Sequence, residues 1–130
     1  MTPFGLRLRD LRAERGITQR DMADALDVSS AYLSALERGQ RGVPTFDLLQ
    51  RIIAHLGVIW DEADELARLA SLSHPRPSID TSDLSADATE LANILATNLR
   101  SMSSEEVAEL LRLARRNVRE AQRFSRRNRA

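Results

Sequence analysis

The chain has 130 residues, no cysteine and a formal net charge of zero, because 19 arginines are balanced by 19 acidic residues and lysine is absent. Without cysteine it forms neither disulfide bridges nor thiolate metal sites, and its two histidines, His55 and His74, are too isolated for a metal cluster. The length fits one small domain with an appendage, and no apolar run is long enough to span a bilayer.

The first predicted element is a helix over residues 4–15. Phe4, Leu8 and Leu11 recur at steps of three and four, so they lie on one helical face, and Gly16 is suited to end the helix. No segment of the chain alternates polar and apolar residues over the length of a strand. We therefore expect an all-α fold.

Residues 18–26 predict a second helix. Thr18 is a favourable N-cap, and Asp21 lies three residues later, where it can return a capping-box hydrogen bond. The apolar residues that share one face of this helix are Met22, Ala23 and Leu26. Asp27 follows, and aspartate is one of the few residue types besides glycine that tolerate a left-handed conformation. We expect a tight turn there.

A third helix is predicted to begin after the N-cap residue Ser29 and to end at Gly39. Its inward-facing residues are Val28, Leu33 and Leu36. Two short helices joined by a short turn have the helix-turn-helix layout, in which the second helix enters a DNA major groove.

Two more helices complete this part of the chain. The fourth begins after the N-cap residue Thr45 and is closed by Gly57. The fifth starts at Asp61 and runs to Leu69, with acidic residues in its first turn, where they favour the positive end of the helix. Trp60 lies between the two helices and is interpreted as a core or hinge residue, with an interface anchor as the alternative.

Three segments follow the five-helix region, which covers residues 1–70. Residues 71–83 contain two prolines and are interpreted as a linker. Residues 84–124 predict two amphipathic helices joined by about three residues, which is the pattern of an antiparallel helical hairpin. Residues 125–130 form a basic tail.

The predicted hairpin carries one apolar stripe on each helix. The stripes consist of Leu84, Ala88, Leu91, Leu95, Leu99 and Met102, and of Val107, Leu110, Leu111, Ala114, Val118 and Ala121. The second helix begins at Ser103, which forms a capping box with Glu106. An isolated hairpin buries too little surface to be stable, so we expect it to pack on the N-terminal domain or on a second copy of the chain.

Arginine dominates the end of the chain. Residues 112–130 contain eight arginines and one acid, whereas residues 43–111 contain four arginines and twelve acids. One helical face is formed by Arg112, Arg116, Arg119 and Arg123. Three roles are open for this face: simple solvation, contact with flanking DNA phosphates, or contact with the acidic segment of a second subunit.

About residues 4–70 resemble the Cro-like phage-repressor (XRE) helix-turn-helix family. The residues that carry the resemblance are Leu11-Arg12, Arg15-Gly16-Ile17-Thr18-Gln19, Met22-Ala23, Val28-Ser29, Tyr32-Leu33-Ser34, Leu36-Glu37-Arg38-Gly39, Pro44-Thr45, Leu48-Leu49, Ile52 and Leu56-Gly57-Val58. Two features depart from the family: Asp27 stands where glycine is frequent, and the loop 40–43 fits no single pattern. The resemblance implies a five-helix repressor-like DNA-binding domain.

The resemblance also implies which residues meet DNA. Gln19 is expected to contact a phosphate and to brace the recognition helix, and Tyr32 to reach a phosphate, with packing at the edge of the turn as the alternative. The full predicted set is Gln19, Ser29, Ser30, Ala31, Tyr32, Ser34, Arg38, Gln40 and Arg41. Because the second helix offers no early arginine or glutamine for bidentate base contacts, we expect specificity to depend on the loop and on DNA shape.

From these features we predict a sequence-specific, homodimeric transcriptional repressor that binds a double-stranded operator. The alternatives are an antitoxin, whose C-terminal helices neutralise a toxin while the N-terminal domain represses its own operon, and a protein-interaction adaptor. The adjacent acids near Asp61 lack a partner base, and no catalytic motif is present, so we predict no enzymatic activity, cofactor or metal. The N-terminus does not resemble a secretory signal, so we expect a cytoplasmic protein.

Overall fold

The computed structural model describes residues 1–129, with side chains through Arg127, and all of its regular secondary structure is helical. The helices are α1 (Pro3–Arg15), α2 (Gln19–Leu26), α3 (Ser30–Glu37), α4 (Phe46–Leu56), α5 (Asp61–Ser71), α6 (Ala86–Asn98) and α7 (Ser104–Arg129), with a short 3₁₀ turn at Leu99–Ser101. The chain forms two units, Met1–Pro77 and Ser78–Ala130. The predicted all-α fold class is confirmed.

Helix starts in the first unit follow the predicted cap residues. Each hydroxyl accepts a backbone N–H from three residues further on: Thr18 from Asp21 (3.0 Å), Ser29 from Tyr32 (3.0 Å) and Thr45 from Leu48 (3.2 Å). The return bond expected from the side chain of Asp21 does not form among the described residues. Gly16 and Gly57 adopt left-handed conformations at the ends of α1 and α4. Local capping chemistry therefore sets most helix boundaries in this unit.

One apolar core holds the first unit together, because α1 packs against α3, α4 and α5 while α2 packs against α3 and α4. Its buried members are Phe4, Leu8, Leu11, Met22, Ala23, Leu26, Leu33, Leu36, Leu48, Leu49, Ile52, Leu56, Val58, Leu66 and Ala70. The predicted inward faces of the first three helices are buried, except that Val28 is half-buried. Burial of one such leucine stabilises the fold by about 1.5–3 kcal/mol.

Ser73 closes the first unit by connecting its last helix to its first. Its side-chain Oγ accepts a hydrogen bond from the Phe4 backbone N–H (2.9 Å) and donates to the Leu69 carbonyl (2.6 Å), and the residue is 2% exposed. The predicted linker 71–83 therefore overlaps the folded unit. The overlap arises because this serine satisfies an N-terminal amide of α1, a long-range role that local composition does not reveal.

The interpretation of Trp60 as a core residue is wrong, because its side chain is 81% exposed. Trp60 adopts a positive φ of 55° immediately before α5, and its carbonyl accepts a hydrogen bond from the backbone N–H of Asp64 (3.0 Å). The buried apolar position at this turn is taken instead by Val58, which is 4% exposed. The turn between α4 and α5 thus directs the tryptophan outward.

Short hydroxyl caps also define the helices of the second unit. Ser85 Oγ caps α6, and Ser103 and Glu106 form the predicted capping box at the start of α7 through bonds of 3.1 Å and 3.5 Å. Before α6, the backbone N–H and hydroxyl of Ser82 both donate to Asp80 Oδ1 (2.9 Å and 2.7 Å). These bonds hold the pKa of the Asp80 carboxyl below its usual value.

The apolar stripes of α6 and α7 remain largely open to solvent within one chain. Neither helix buries a residue completely between residues 78 and 127, and the half-buried apolar side chains are Ala88, Ala92, Leu95, Met102 and Val107. α6 and α7 also lack the contacts of side-by-side packing, so the predicted hairpin has its two helices and its turn but no closed interface of its own. Across residues 1–129, none of the helices combines the length and apolar character that crossing a membrane requires.

Candidate nucleic-acid interface

The turn between α2 and α3 fixes the angle between the two helices. Asp27 is left-handed (φ 57°, ψ 44°), as its place in the sequence predicted, and the Val28 backbone N–H donates to the Ala23 carbonyl (3.0 Å). Buried side chains of both helices continue from this turn into the common core, including Leu26 and Leu33. α3 is therefore held rigidly against α2 although each helix has only eight residues.

The outward face of α3 carries mostly short side chains. Ser30, Ala31 and Arg38 are exposed, whereas Ser34 and Ala35 are half-buried. Arg38 is the one long side chain among these five positions. A surface of this kind allows a duplex to approach the helix backbone closely.

The end of α3 leads directly into an exposed loop. Gly39 adopts a positive φ of 78°, and the Gln40 backbone N–H donates to the Ala35 carbonyl (2.8 Å), which closes the helix. Arg38 Nε lies 3.4 Å from the Ser34 carbonyl and so also serves the helix terminus. Gln40 and Arg41 follow with exposed side chains, so the predicted loop residues adjoin the outward face of α3.

A fully buried carboxylate anchors α3 from behind. Glu37 is 0% exposed, and Arg12 of α1 donates to it twice, from Nε to Oε1 (2.6 Å) and from Nη2 to Oε2 (3.0 Å). Arg12 Nη1 also donates to the Ile17 carbonyl (3.0 Å), and Gln19 Nε2 donates to Glu37 Oε2 (2.8 Å). These four residues, which we call the Glu37 network, connect α1, the start of α2 and the end of α3.

The Glu37 network clarifies the geometry of two predicted DNA-binding residues. Gln19 uses one amide hydrogen to hold Glu37, which leaves its second amide hydrogen available. Ser29 uses its hydroxyl oxygen to cap α3, which leaves its hydroxyl hydrogen available. Tyr32 is half-buried and packs against the core, which fits the alternative stated for it, while its contact with phosphate stays a prediction.

The arginines of the first unit differ in the partners that they bind. Arg15 donates to the Leu56 carbonyl (2.8 Å) and Arg51 to the Leu26 carbonyl (2.7 Å), so both serve the fold. Arg20, Arg38 and Arg41 are exposed and form no ion pair with any residue in 1–127, although Arg38 also donates to the Ser34 carbonyl of its own helix (3.4 Å). Arg20 was not among the DNA-binding residues predicted from the sequence. Arg20 lies beside Gln19 in the first turn of α2, where the helix dipole disfavours a cation. An arginine at such an unfavourable position is the signal that could have identified it.

The paired helices α2 and α3, the left-handed turn and the accessible face of the second helix define an XRE-type helix-turn-helix DNA-binding domain. The family described as "Helix-turn-helix domain" matches residues 3–69, more than half of the chain. The chain belongs to this family of helix-turn-helix domains.

Several curated proteins are similar to the chain. The uncharacterized HTH-type transcriptional regulator RghRB of Bacillus subtilis (strain 168) is 38% identical over 61 residues, which cover 47% of this chain and 44% of RghRB. The HTH-type transcriptional regulator DdrOP3 of Deinococcus deserti is 44% identical over 52 residues, which cover 40% of each protein. The chain thus matches less than half the length of either relative.

A longer match is found with the transcriptional regulator ClgR of Mycobacterium tuberculosis, at 32% identity over 87 residues that cover 63% of this chain and 77% of ClgR. A solved chain described as "SinR protein/SinI protein complex" overlays 88% of this chain and 96% of its own length, with 21% identity and a TM-score of 0.43. The names of these curated relatives describe transcriptional regulators and no enzymatic activity, which agrees with the prediction from the sequence.

Proposed function

We propose that the chain is a sequence-specific repressor that binds a double-stranded operator as a homodimer in the cytoplasm and blocks transcription by occupying the promoter. The observation that carries this proposal is the outward face of α3. It is accessible to a duplex, whereas the opposite side of the same helix is fixed by the core and by the Glu37 network. A rigid helix with one free face is what major-groove binding requires.

In this proposal, the short side chains of α3 contact the DNA bases. The hydroxyls of Ser30 and Ser34 make single hydrogen bonds to base edges, and the methyl group of Ala31 contacts a thymine methyl. Gln40 and Arg41 extend the contact from the loop. Because few bidentate contacts are available, sequence-dependent DNA shape contributes the remaining specificity.

Residues at the start of α2 and at the two ends of α3 contact the DNA phosphates in this proposal. The second amide hydrogen of Gln19 and the exposed guanidinium groups of Arg20 and Arg38 provide donors for backbone oxygens. Ser29 and Tyr32 add hydroxyl groups near the start of α3, where the helix dipole also favours an anion. These contacts orient the domain and carry little sequence information themselves.

The two groups of residues predict different mutational effects. Selection of duplexes from a random pool by the purified chain would first define its preferred site. Ser30→Ala/Ser34→Ala is then expected to change the preference at one or two base positions, by roughly 0.5–1.5 kcal/mol at each, which is the contribution of a single hydrogen bond. Arg20→Ala/Arg38→Ala is expected to weaken binding to most sequences by a similar factor, as measured by fluorescence anisotropy.

Arg68→Ala is the matched control for these arginine substitutions. Arg68 is also exposed but lies on α5, whose main packing partners are α1 and α4. Unchanged affinity in this control is expected. Wild-type affinity and wild-type base preference in both double variants would contradict the proposed interface and favour the adaptor hypothesis.

The homodimer is supported by the exposed apolar stripe of α7. Val107, Leu110, Leu111, Ala114, Val118 and Ala121 form this stripe. Leu111 and Val118 are 46% and 55% exposed in the single chain, so the stripe is available for a second copy. Dimerisation matters for function because two linked half-sites bind with a high effective concentration.

Polar substitution of the stripe tests the dimer in the full chain. Leu111→Gln/Val118→Gln is expected to convert the protein to a monomer in sedimentation velocity, with its helix content retained, because both side chains are exposed in the single chain. Leu113→Gln/Phe124→Gln is the matched control: Leu113 is also 46% exposed, but both residues lie about 100° away from the stripe. This control should remain a dimer. A stripe variant that stays dimeric would contradict the assignment and strengthen the antitoxin hypothesis, in which these helices bind another protein.

A further inference from the structure

The last two thirds of α7, from residue 112 onward, carry a dense row of arginines. Its members with described side chains are Arg112, Arg115, Arg116, Arg119, Arg123, Arg126 and Arg127, and all of them are exposed. From Arg112 to Arg127 the row extends over about 22 Å along the helix axis. We call this row the arginine face.

The arginine face is separate from the apolar stripe of the same helix. At 3.6 residues per turn, its seven side chains fall within an arc of about 120°, and the centre of this arc lies about 150° from the centre of the stripe. A second copy docked on the stripe would therefore leave the arginine face pointing away from the interface. The two faces can be occupied at the same time.

Intramolecular partners neutralise little of this charge. The single ion pair that it forms among residues 1–127 joins Arg116 Nε to Glu120 Oε1 at 4.0 Å, and both side chains are about two-thirds exposed. The other acids of α7, Glu105, Glu106 and Glu109, lie nearer its N-terminus. Six of the seven arginines thus form no ion pair within the described part of the chain.

The spacing of the arginines identifies the kind of ligand that suits them. Neighbours such as Arg115 and Arg119, or Arg119 and Arg123, are four residues apart, so like charges lie adjacent on the helix and repel each other. An anion relieves this repulsion, and an anion that covers the whole face must be extended over about 22 Å. A DNA duplex fits, because it carries one phosphate charge per about 1.7 Å of its axis.

We propose that the arginine face of α7 is a second DNA-binding surface, which contacts backbone phosphates without base selectivity while α3 contacts the bases. The proposal rests on the proposed function, because DNA held by the helix-turn-helix brings phosphates to a high effective concentration around the tethered α7. Guanidinium groups suit this role because their planar donors match phosphate oxygens.

The experiment compares three forms of the 130-residue chain on a mixed-sequence duplex that lacks the preferred site. They are the wild type, Arg112→Gln/Arg119→Gln/Arg123→Gln, and the same three positions changed to lysine. Anisotropy titrations between about 50 and 200 mM salt give the slope of log affinity against log salt. The glutamine variant should lose about 0.9 of slope for each phosphate contact removed, and bind about tenfold or more weakly at low salt. The lysine variant should retain most of the affinity, since it keeps the charge.

A glutamine variant with the wild-type slope and affinity would overturn the proposal and leave an acidic protein surface as the ligand of this face. The Arg20→Ala/Arg38→Ala variant, measured on the same duplex, separates this failure from failure of the proposed function. Loss of binding in that variant alone would overturn the proposed role of α7 but support DNA binding by the helix-turn-helix. Loss of binding in the α7 variant alone would support DNA binding by the arginine face and contradict the proposed interface on α3.

Discussion

Replacement of Glu37 by alanine is expected to lower the free energy of unfolding of the first unit by about 3–5 kcal/mol, since it breaks a buried ion pair by removing one partner. The carboxylate is 0% exposed and accepts three hydrogen bonds, two from Arg12 and one from Gln19. Without it, the Arg12 guanidinium, whose side chain is 13% exposed, keeps its charge but loses its counter-ion. Urea denaturation followed by circular dichroism measures the change.

Two matched variants show whether the loss comes from the uncompensated charge. Arg12→Met/Glu37→Leu removes both ions and is expected to recover most of the stability, because apolar residues of similar volume often replace a buried pair without loss. Asp47→Ala breaks the exposed i,i+4 pair with Arg51 (3.1 Å) and should cost about 1 kcal/mol or less. Glu37→Ala that is no less stable than Asp47→Ala would contradict the structural role of the network.

The Glu37 network also links stability to DNA recognition. It joins α1 to the end of α3 and to Gln19, so its loss removes a positional restraint on the outward face of α3 without touching that face. Operator affinity should therefore fall even under conditions in which the Glu37→Ala protein remains folded, because a poorly fixed helix binds at an entropic cost.

Local sequence signals were sufficient to predict the helices of the first unit. Thr18, Ser29 and Thr45 each cap the helix that the sequence assigned to them, and Asp27 adopts the expected left-handed turn. Cap chemistry and the 3.6-residue period act over a few residues, so both are visible in the sequence. The outward positions of α3 follow from the same period.

Long-range contacts could not be predicted in this way. Glu37 follows Leu36 near the end of a short helix and looks like an exposed terminal charge, but Arg12 reaches it from a position 25 residues earlier. Ser73 has the composition of a linker, yet it bonds to Phe4 across 69 residues. Trp60 is apolar and large, yet the backbone of its turn directs it outward. Each case depends on a partner or a backbone angle that the local pattern does not contain.

The second unit shows the same division between local and long-range information. The capping box at Ser103 and the apolar stripes were predictable from spacing, and both are present. The same spacing predicted an antiparallel hairpin too small to be stable alone, and in the structure α6 and α7 leave their stripes largely open. Two helices offer too little apolar surface to each other, which is why the stripe of α7 is assigned to a second copy.

Gly5→Ala is expected to destabilise the first unit by about 1–3 kcal/mol or more, although alanine is normally the better residue in a helix by about 0.5–1 kcal/mol. A Cβ atom built on Gly5 would lie 2.0 Å from the Glu37 carbonyl oxygen and 2.7 Å from its carbonyl carbon. These are backbone atoms of α3, so they cannot move aside as the end of a flexible side chain could. Relief of the clash requires α1 and α3 to separate.

The sign of the change in unfolding free energy separates two effects: the clash between α1 and α3 makes Gly5→Ala destabilising, whereas helix propensity alone would make it stabilising. Ala13→Gly, at an exposed position of the same α1, is the matched control and should cost only about 0.5–1 kcal/mol. Thermal and urea unfolding of both variants measure the two effects. If Gly5→Ala proved as stable as the wild type, α1 and α3 could not pack as closely as the structure shows. If it is destabilised as expected, operator affinity should fall with it, since the displaced helix is the one that enters the major groove in the proposed complex.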